Sequence, residues 1–507
     1  MTSIVYFNDF KFPKILPVKI FSFTKPSESF AGNILKLMTG TVLAQVFGIL
    51  VMPIVTRLFA PEAYGIVAIF TSITGIAGVV VCLRYEIAIM LPESAEEAAN
   101  MLGVSLLSVI IMTILSALIV WLGGEQIISL INAPQLKIYL WLIPVTIFFQ
   151  GIFLALNYWN SRTKHFGRIS VAQVVSSLVS QVFKLAAGFA GFVSGGVLIG
   201  TNVLGGIVSA GMLGGQIWKE DKKLFLNGIR WKGIGKGYVR YKKFPLIDAW
   251  GGLLNSISWQ LPALMLSSFF SVSIVGFYAL GLTVVKTPLG FISGAISQVF
   301  YQKACQEKNV KGKNGEIVES LMDKLMFIGI MPTVMLAMVG EELFTVMFGE
   351  RWFEAGRYTQ ILAPWVFFWF ISSPLSSLFA VYERQGAALS VHSVIFVTRV
   401  ISLYIGGIYN NIYLALGLFS ITGIAAYAFV SVWNIRLAKA SGRKIGLNFA
   451  KYMLYSLPAC VCLYFVKYMF RFSPIITLTT SAILVGAYYF AFKNKISFFT
   501  GAAGISH

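Results

Sequence analysis

Three basic residues lie inside long apolar runs of the chain: Lys184, Lys286 and Arg399. A cation at the middle of a bilayer costs at least about 2.5–3.5 kcal/mol, so each should face a wet cavity or a partner rather than lipid. Asp248 is the only carboxylate well within such a run, and it follows the basic Lys243 by about one turn. The excess of positive charge predicts a cationic cavity that suits an anionic group such as a diphosphate. The alternative for any one cation is snorkelling to the interface or a structural hydrogen bond to a helix end.

Two roles are open for Asp248. One is a site for a coupling proton or cation. The other is a carboxylate that stabilises a helix N-terminus shortly after Pro245, and this role is the more common for a carboxylate so placed.

Residues for enzymatic chemistry are sparse. The three histidines form no pair at metal or general-base spacing. His392, near Arg399, either lines the cavity or is a core histidine, and the second is the more common case. The four cysteines lie mostly in or beside apolar runs without metal-ligand spacing, so we interpret them as core thiols. We find no phosphate-binding loop and no nucleophile constellation. The sequence therefore predicts no enzyme, no metal site and no cofactor.

The composition indicates which solvent surrounds these residues. Of the 507 residues, 57% are hydrophobic and 12% are charged, whereas a soluble domain carries about a quarter charged residues. Most of the chain should therefore lie in lipid. The net charge of +20 sits in short segments between apolar runs, which indicates membrane orientation rather than nucleic-acid binding.

About 20 apolar residues span a bilayer as a helix. The sequence has fourteen such runs, near residues 34–58, 65–83, 101–122, 138–158, 169–192, 196–217, 245–268, 274–300, 322–340, 358–381, 388–409, 412–434, 449–470 and 475–492.

The basic residues test this count. If the N-terminus is cytoplasmic, 31 of the 40 lysines and arginines fall on the cytoplasmic side, six on the other side and three inside spans. A missed or additional span would scramble this alternation. The distribution therefore favours fourteen helices with both termini in the cytoplasm.

Two pairs of segments repeat six spans apart. LFAPEAYGIVA at 58–68 resembles FFSVSIVGFYA at 269–279, and YLWLIPVTIFF at 139–149 resembles YTQILAPWVFF at 358–368. An even number of spans keeps related helices parallel, so the sequence predicts two parallel six-helix lobes with two accessory helices after them. Chance similarity between apolar helices is the alternative.

This plan divides the chain into seven segments. They are an N-terminal cytoplasmic or interfacial segment (1–33), a first lobe (34–217), a basic cytoplasmic loop between the lobes (218–243), a second lobe (244–434), a second basic loop (435–448), two accessory spans (449–492) and a cytoplasmic tail (493–507).

Four stretches carry a resemblance to a known family. They are RYEIAIMLPESAEEA (84–98), KKFPLIDAWGGLLNSISWQLPALML (242–266), VGFYALGLTVVKTPLGFISGAISQVFYQKA (275–304) and FGERWFEAGRYTQILAPW (348–365). With the span count, residues 30–495 resemble bacterial polysaccharide flippases of the Wzx type, in the multidrug/oligosaccharidyl-lipid/polysaccharide (MOP) exporter superfamily.

The resemblance implies a V-shaped, two-lobed bundle in the bacterial inner membrane. Such a protein moves undecaprenyl-diphosphate-linked oligosaccharide between leaflets by alternating access, for O-antigen, capsule or exopolysaccharide. A polysaccharide polymerase and a chain-length regulator would be its partners, besides the lipid bilayer. The family is described with a cationic lumen, and relatives commonly carry Arg or Lys at the position of Lys286; Lys184 and Arg399 rest on the charge pattern alone. Arg84 and Glu86 of the RYE sequence would form a cytoplasmic gate or hinge pair, or a salt bridge that only packs the lobe.

Two other functions stay open. A cation-coupled multidrug exporter of the same fold should carry acidic residues in its cavity, and the charges inside these spans have the opposite sign. A non-transporting membrane scaffold for polysaccharide assembly would need no cavity chemistry, so removal of the three cations would leave it working.

Overall fold

The computed structural model describes residues 30–492, which consist of helices joined by short links. The expected N-terminal segment lies almost wholly outside these residues, and so does the expected tail. The first half contains seven α-helices: α1 (Phe30–Leu58), α2 (Pro61–Val80), α3 (Tyr85–Ala88), α4 (Ala95–Ile131), α5 (Leu142–Arg162), α6 (Phe166–Phe189) and α7 (Gly195–Gly228).

The second half contains ten more. They are α8 (Trp231–Arg240), α9 (Ala249–Phe269), α10 (Val272–Lys311), α11 (Gly315–Phe348), α12 (Phe353–Ser372), α13 (Leu378–Val381), α14 (Gln385–Ile408), α15 (Ile412–Leu437), α16 (Gly442–Tyr464) and α17 (Pro474–Ala491).

Each of the fourteen expected spans corresponds to one long helix. Twelve of the described helices are long and apolar enough to cross a membrane, and α1 and α9 account for the other two. Spanning helices satisfy their backbone hydrogen bonds internally, which is why lipid selects them. Side chains start several of them: the Ser94 hydroxyl accepts from the Glu97 N–H at 3.1 Å, and Asn411 Oδ1 accepts from the Leu414 N–H at 3.0 Å. Such caps satisfy amide groups that have no partner within the helix.

The helices form the two lobes that the repeat predicts. In the first lobe α6 packs against α1 and α7, and α5 packs against α4 and α7. In the second, α12 packs against α10, α11 and α15, and α14 against α9 and α15. The accessory helices α16 and α17 pack on α11, where Asp323 Oδ1 accepts hydrogen bonds from Tyr452 Oη at 2.7 Å and Asn448 Nδ2 at 2.8 Å.

The basic segment expected as a loop at 218–243 is mostly helical. Helix α7 continues through it to Gly228, and α8 follows after a short link. Helix α8 rests on α4, where the Tyr238 and Ser108 hydroxyls are 2.9 Å apart. Asn100 Nδ2 of α4 also donates to the Gly228 carbonyl at the end of α7, at 2.8 Å. Ile234 is buried and Lys232 and Lys236 are exposed. This amphipathic pattern explains why the segment folds onto the first lobe instead of forming an open loop.

Candidate functional site

The two lobes meet along α2, which contacts both α9 and α10. The start of α2 crosses the start of α10, and we call this the crossing end. Near the end of α2 the chain reaches Arg84, which binds Asp248; we call this the ion-pair end. The junction between these ends is the candidate functional site.

At the crossing end, two glycines let the helix backbones touch. A Cβ added to Gly65 would lie 1.8 Å from the Val272 carbonyl oxygen, and one added to Gly276 would lie 1.9 Å from the Pro61 carbonyl oxygen. These glycines stand at matching positions of the first repeated pair of segments. The repeat therefore marks the place where the related helices cross, and only residues without a side chain fit there.

Further bonds hold the lobes together at this end. Trp352 Nε1, from the second lobe, donates to the Thr56 carbonyl at 2.9 Å, and the Trp352 ring packs edge-on against Tyr64 at 5.0 Å. Arg57 Nη2 donates to the Val346 carbonyl at 3.0 Å.

At the ion-pair end, the structure brings Asp248 together with Arg84 and Glu86, which the sequence offered as a separate pair. Arg84 Nε lies 2.8 Å from Asp248 Oδ2 across the junction, and Arg84 Nη1 lies 3.7 Å from Glu86 Oε1. Leu83 and Arg84 have left-handed φ values of 52° and 63°, which are uncommon for residues other than glycine. The tight link from α2 to α3 thus presents Arg84 to the other lobe. Burial raises the pKa of Glu86 to about 7.

The helix-end role that was favoured for Asp248 stays a prediction, and so does its coupling role. Asp248 ends a π-helical turn, Phe244–Asp248, that runs directly into α9, and it makes no side-chain cap bond. The amides around it are already bonded within the helix: the Ala249 N–H donates to the Phe244 carbonyl. The carboxylate pairs with Arg84 and caps no amide.

Between the two ends, α9 lies along α2 through polar contacts. Ser256 Oγ donates to the Gly75 carbonyl at 3.0 Å, and Ser72 Oγ lies 3.3 Å from Gln260 Oε1. Gly75 also faces Gln260, whose Nε2 lies 2.6 Å from where a Cβ would be. Small residues on α2 therefore bring the lobes close enough for hydrogen bonds.

Trp259 of α9 gathers two of the three cations within the spans. Lys286 Nζ lies 3.5 Å from its ring centroid and the Arg399 guanidinium carbon lies 4.5 Å from it. Lys286 also lies 5.4 Å from the centroid of Trp369. Cation–π contacts are strongest where water is excluded, so the indole stabilises two charges that would otherwise repel each other.

Arg399 is almost completely enclosed, with 3% of its surface exposed. Its Nη1 donates to the Ser258 carbonyl at 2.8 Å and to the Ser258 hydroxyl at 2.9 Å, and its Nη2 donates to the Tyr427 hydroxyl at 3.2 Å. Within residues 30–492, no carboxylate forms an ion pair with it. The positive charge is thus held by neutral groups inside the second lobe.

Lys184 lies in the other lobe, half-buried on α6. That helix packs against α1, where Ser177 Oγ donates to the Ala44 carbonyl at 2.9 Å. The structure therefore brings Lys286 and Arg399 together and leaves Lys184 apart from them. That Lys184 and Arg399 face each other across a cleft stays a prediction.

Sequence reasoning missed the aromatic and hydroxyl groups that hold the cations. Trp259 and Tyr427 were not candidates, although the polar sequence NSISWQ at 255–260 interrupts an otherwise apolar span. Polar side chains within a span usually face the interior of a bundle, so this interruption was the available signal.

The fold and this junction define the class: a two-lobed helical membrane protein with polar contacts where the lobes meet. The family model described as "Polysaccharide biosynthesis protein" matches residues 54–357. This chain belongs to that family. No curated protein sequence matches it significantly.

Solved structures share its fold. One, described as "Lipid II flippase MurJ, inward closed conformation", has a TM-score of 0.70 and 13% identity and covers 90% of this chain and 99% of its own. A multidrug resistance MATE family transporter of the MOP superfamily, in its inward-facing conformation, has a TM-score of 0.60 and 16% identity over 80% of this chain and 98% of its own. Its outward-facing counterpart has a TM-score of 0.51 and 16% identity over 80% of this chain and 96% of its own. The fold is therefore that of MOP-type flippases and transporters.

Proposed function

We propose that this protein translocates undecaprenyl-diphosphate-linked oligosaccharide across the bacterial inner membrane, for O-antigen, capsule or exopolysaccharide synthesis. The observation that carries the proposal is the pair of cations on Trp259. Lys286 and Arg399 lie within one lobe and form no ion pair with any carboxylate in the described part of the chain. An uncompensated positive field at the lobe junction favours an anionic head group such as a diphosphate.

The three cations differ in their proposed roles. Lys286 is half-buried and contacts the diphosphate directly. Arg399 lies behind Trp259, so it positions the indole and adds to the field. Lys184, half-buried in the first lobe, binds the head group from the opposite side once the lobes part.

Alternating access follows from the different contacts that close the two ends of the lobe junction. By the positive-inside rule, the ion-pair end with its neighbouring basic helix α8 is cytoplasmic, and the crossing end is periplasmic. Opening the ion-pair end breaks a half-exposed salt bridge, and such pairs contribute only about 0.2–1 kcal/mol. Opening the crossing end separates two closely packed backbones. The lipid tail stays in the bilayer while the lobes rock about the head group.

The membrane potential favours the outward direction. An inside-negative potential favours expulsion of an anion by about 2.3 kcal/mol per charge per 100 mV. In this proposal the protein catalyses no covalent chemistry, both termini are cytoplasmic, and a polymerase and a chain-length regulator take over the product.

The test uses a strain without this gene, complemented with the parent or with Lys184→Ala/Lys286→Ala/Arg399→Ala. The matched control is Lys232→Ala/Lys236→Ala, which removes two exposed cations from α8. Protein amounts in the membrane are equalised, and the leaflet that holds the lipid-linked oligosaccharide is measured. We expect accumulation on the cytoplasmic side, clearance by the parent and the control, and failure of the triple variant.

Two results would contradict the proposal. If the triple variant clears the lipid as the parent does, the cations do not bind cargo, and a non-transporting scaffold fits better. If nothing accumulates without the gene, the cargo is wrong, and export of small molecules becomes the function to test.

A further inference from the structure

A cavity lies inside the second lobe behind Trp259. Its volume is about 170 Å³. It is lined by α9, α12, α13, α14, α15 and the turn at Pro374–Ser377, and it opens to the surface past the exposed Asn255, Ser376 and His392. Several lining side chains offer hydroxyl or amide groups: Asn255, Ser258, Ser372, Ser373, Ser376 and Tyr427. His392 lines it as well, and no carboxylate does. One water needs roughly 10–15 Å³ of such space, so the cavity has room for a small ion with part of its hydration shell.

Arg399 supplies the charge in this cavity. The side chain is 97% buried, since 3% of its surface is exposed, and a guanidinium cannot release its proton in a protein. Its Nε–H is buried and has no hydrogen-bond acceptor within residues 30–492. A buried cation without a counter-charge is unfavourable, so the site calls for an anion.

Two hydroxyl donors lie beside this charge. The Ser258 and Tyr427 hydroxyl oxygens each accept a hydrogen bond from Arg399, so their own protons are available for a third group. Guanidinium and hydroxyl donors without any acid are the groups that bind an anion rather than a metal ion.

We propose that this cavity binds one monovalent inorganic anion, for which chloride is the abundant cellular candidate. One guanidinium balances one negative charge, whereas a divalent oxyanion would leave a net charge in the interior of the lobe. The anion would also reduce the repulsion between Arg399 and Lys286, which share the Trp259 ring. Lys286 does not line the cavity, but the Trp259 and Trp369 rings that it contacts do. This site therefore adjoins the proposed head-group site and takes a different, monovalent anion.

The test is equilibrium dialysis of the purified full-length protein against chloride-36 in a gluconate buffer free of other halides. We expect one saturable chloride per chain, displaced by bromide. Tyr427→Phe and Ser258→Ala each remove one donor and should weaken binding at least about tenfold, as expected for a hydrogen bond to a charged group. Arg399→Gln should abolish binding. If that variant fails to fold, the two hydroxyl variants decide.

Ser402→Ala is the matched control. Ser402 lies on the same helix as Arg399, is buried, and bonds Thr422 at 3.1 Å outside the cavity lining, so its removal should leave binding unchanged. The proposal fails if no saturable chloride binds, or if the hydroxyl variants bind as the control does. It also fails if inorganic diphosphate displaces chloride more strongly than bromide does, since the cavity would then belong to the head group.

Discussion

The crossing of α2 and α10 gives the sharpest prediction. In Gly65→Ala, the new Cβ would lie 1.8 Å from the Val272 carbonyl oxygen, whereas real Cβ contacts stay above 3.0 Å. The backbones would have to separate by at least 1.2 Å, and the atom in the way is a backbone oxygen that cannot rotate aside. We therefore expect the substitution to destabilise closure at the crossing end.

The size of the effect follows from packing. Extra carbon atoms in a closely packed contact cost about 1–3 kcal/mol, which shifts an equilibrium by roughly 5- to 150-fold. Alanine also favours a helix over glycine by about 1 kcal/mol, but it does so in open and closed states alike. The ratio of closed to open protein at the crossing end should therefore fall by that factor.

Cysteine labelling measures this population. Ser72→Cys, in a background without the four native cysteines, places a thiol about two turns below Gly65, where Ser72 is buried and lies 3.3 Å from Gln260 Oε1. A membrane-impermeant maleimide added on the side proposed to be periplasmic should label this thiol slowly in the parent and faster with Gly65→Ala. Gly200→Ala is the control, because a Cβ there meets nothing within 4 Å. If Gly65→Ala labels and transports as Gly200→Ala does, the glycine crossing does not limit opening.

Three further predictions concern the charged groups. Asp248→Asn should weaken closure at the ion-pair end by about 0.2–1 kcal/mol, and the exchange Arg84→Asp/Asp248→Arg should restore it. Labelling of a single cysteine from the cytoplasmic side measures closure in both variants, and an exchange variant that closes no better than Asp248→Asn would refute the pairing. Burial raises the pKa of Glu86 to about 7 from an ordinary 4.5, so the folded protein binds this proton more tightly than the unfolded chain and its stability should fall as the pH rises between these two values. When Tm is followed from pH 5 to 8, Glu86→Gln should lack this fall in Tm, and parallel curves for the variant and the parent would contradict the prediction. Lys286→Gln should raise the KM for lipid-linked oligosaccharide in proteoliposomes by roughly tenfold or more, whereas Lys286→Arg should keep a KM close to that of the parent. A fall in kcat with an unchanged KM would argue against head-group binding.

The spans and their lobes could be predicted from the sequence because lipid imposes a simple rule. Each apolar run had to be long enough to cross the membrane, and the alternation of basic loops fixed the count. All fourteen runs are helices, and the repeat at Gly65 and Gly276 was visible as a spacing before its crossing was known. The family was visible too, from stretches such as RYEIAIMLPESAEEA.

Contacts between distant segments were a different matter. Arg84 and Asp248 are 164 positions apart, and no pattern in the sequence indicated that they pair. Asp248 followed a proline and suggested a helix end. The π-helical turn around it satisfies the backbone amides, and the carboxylate pairs with Arg84 of the other lobe.

What the sequence by itself determined is the solvent, the number of helices and the sign of the charge within them, because these depend on composition and on periodicity along the chain. Only the tertiary structure decided which cations share a site. It joined Lys286 and Arg399 through Trp259 and enclosed Arg399 in a cavity of hydroxyl groups, while Lys184 lies in the other lobe. The physical reason is that the direction in which a side chain points around a helix is set by what that helix packs against. For a helix surrounded by apolar neighbours and lipid, the hydrophobic pattern alone does not distinguish its faces.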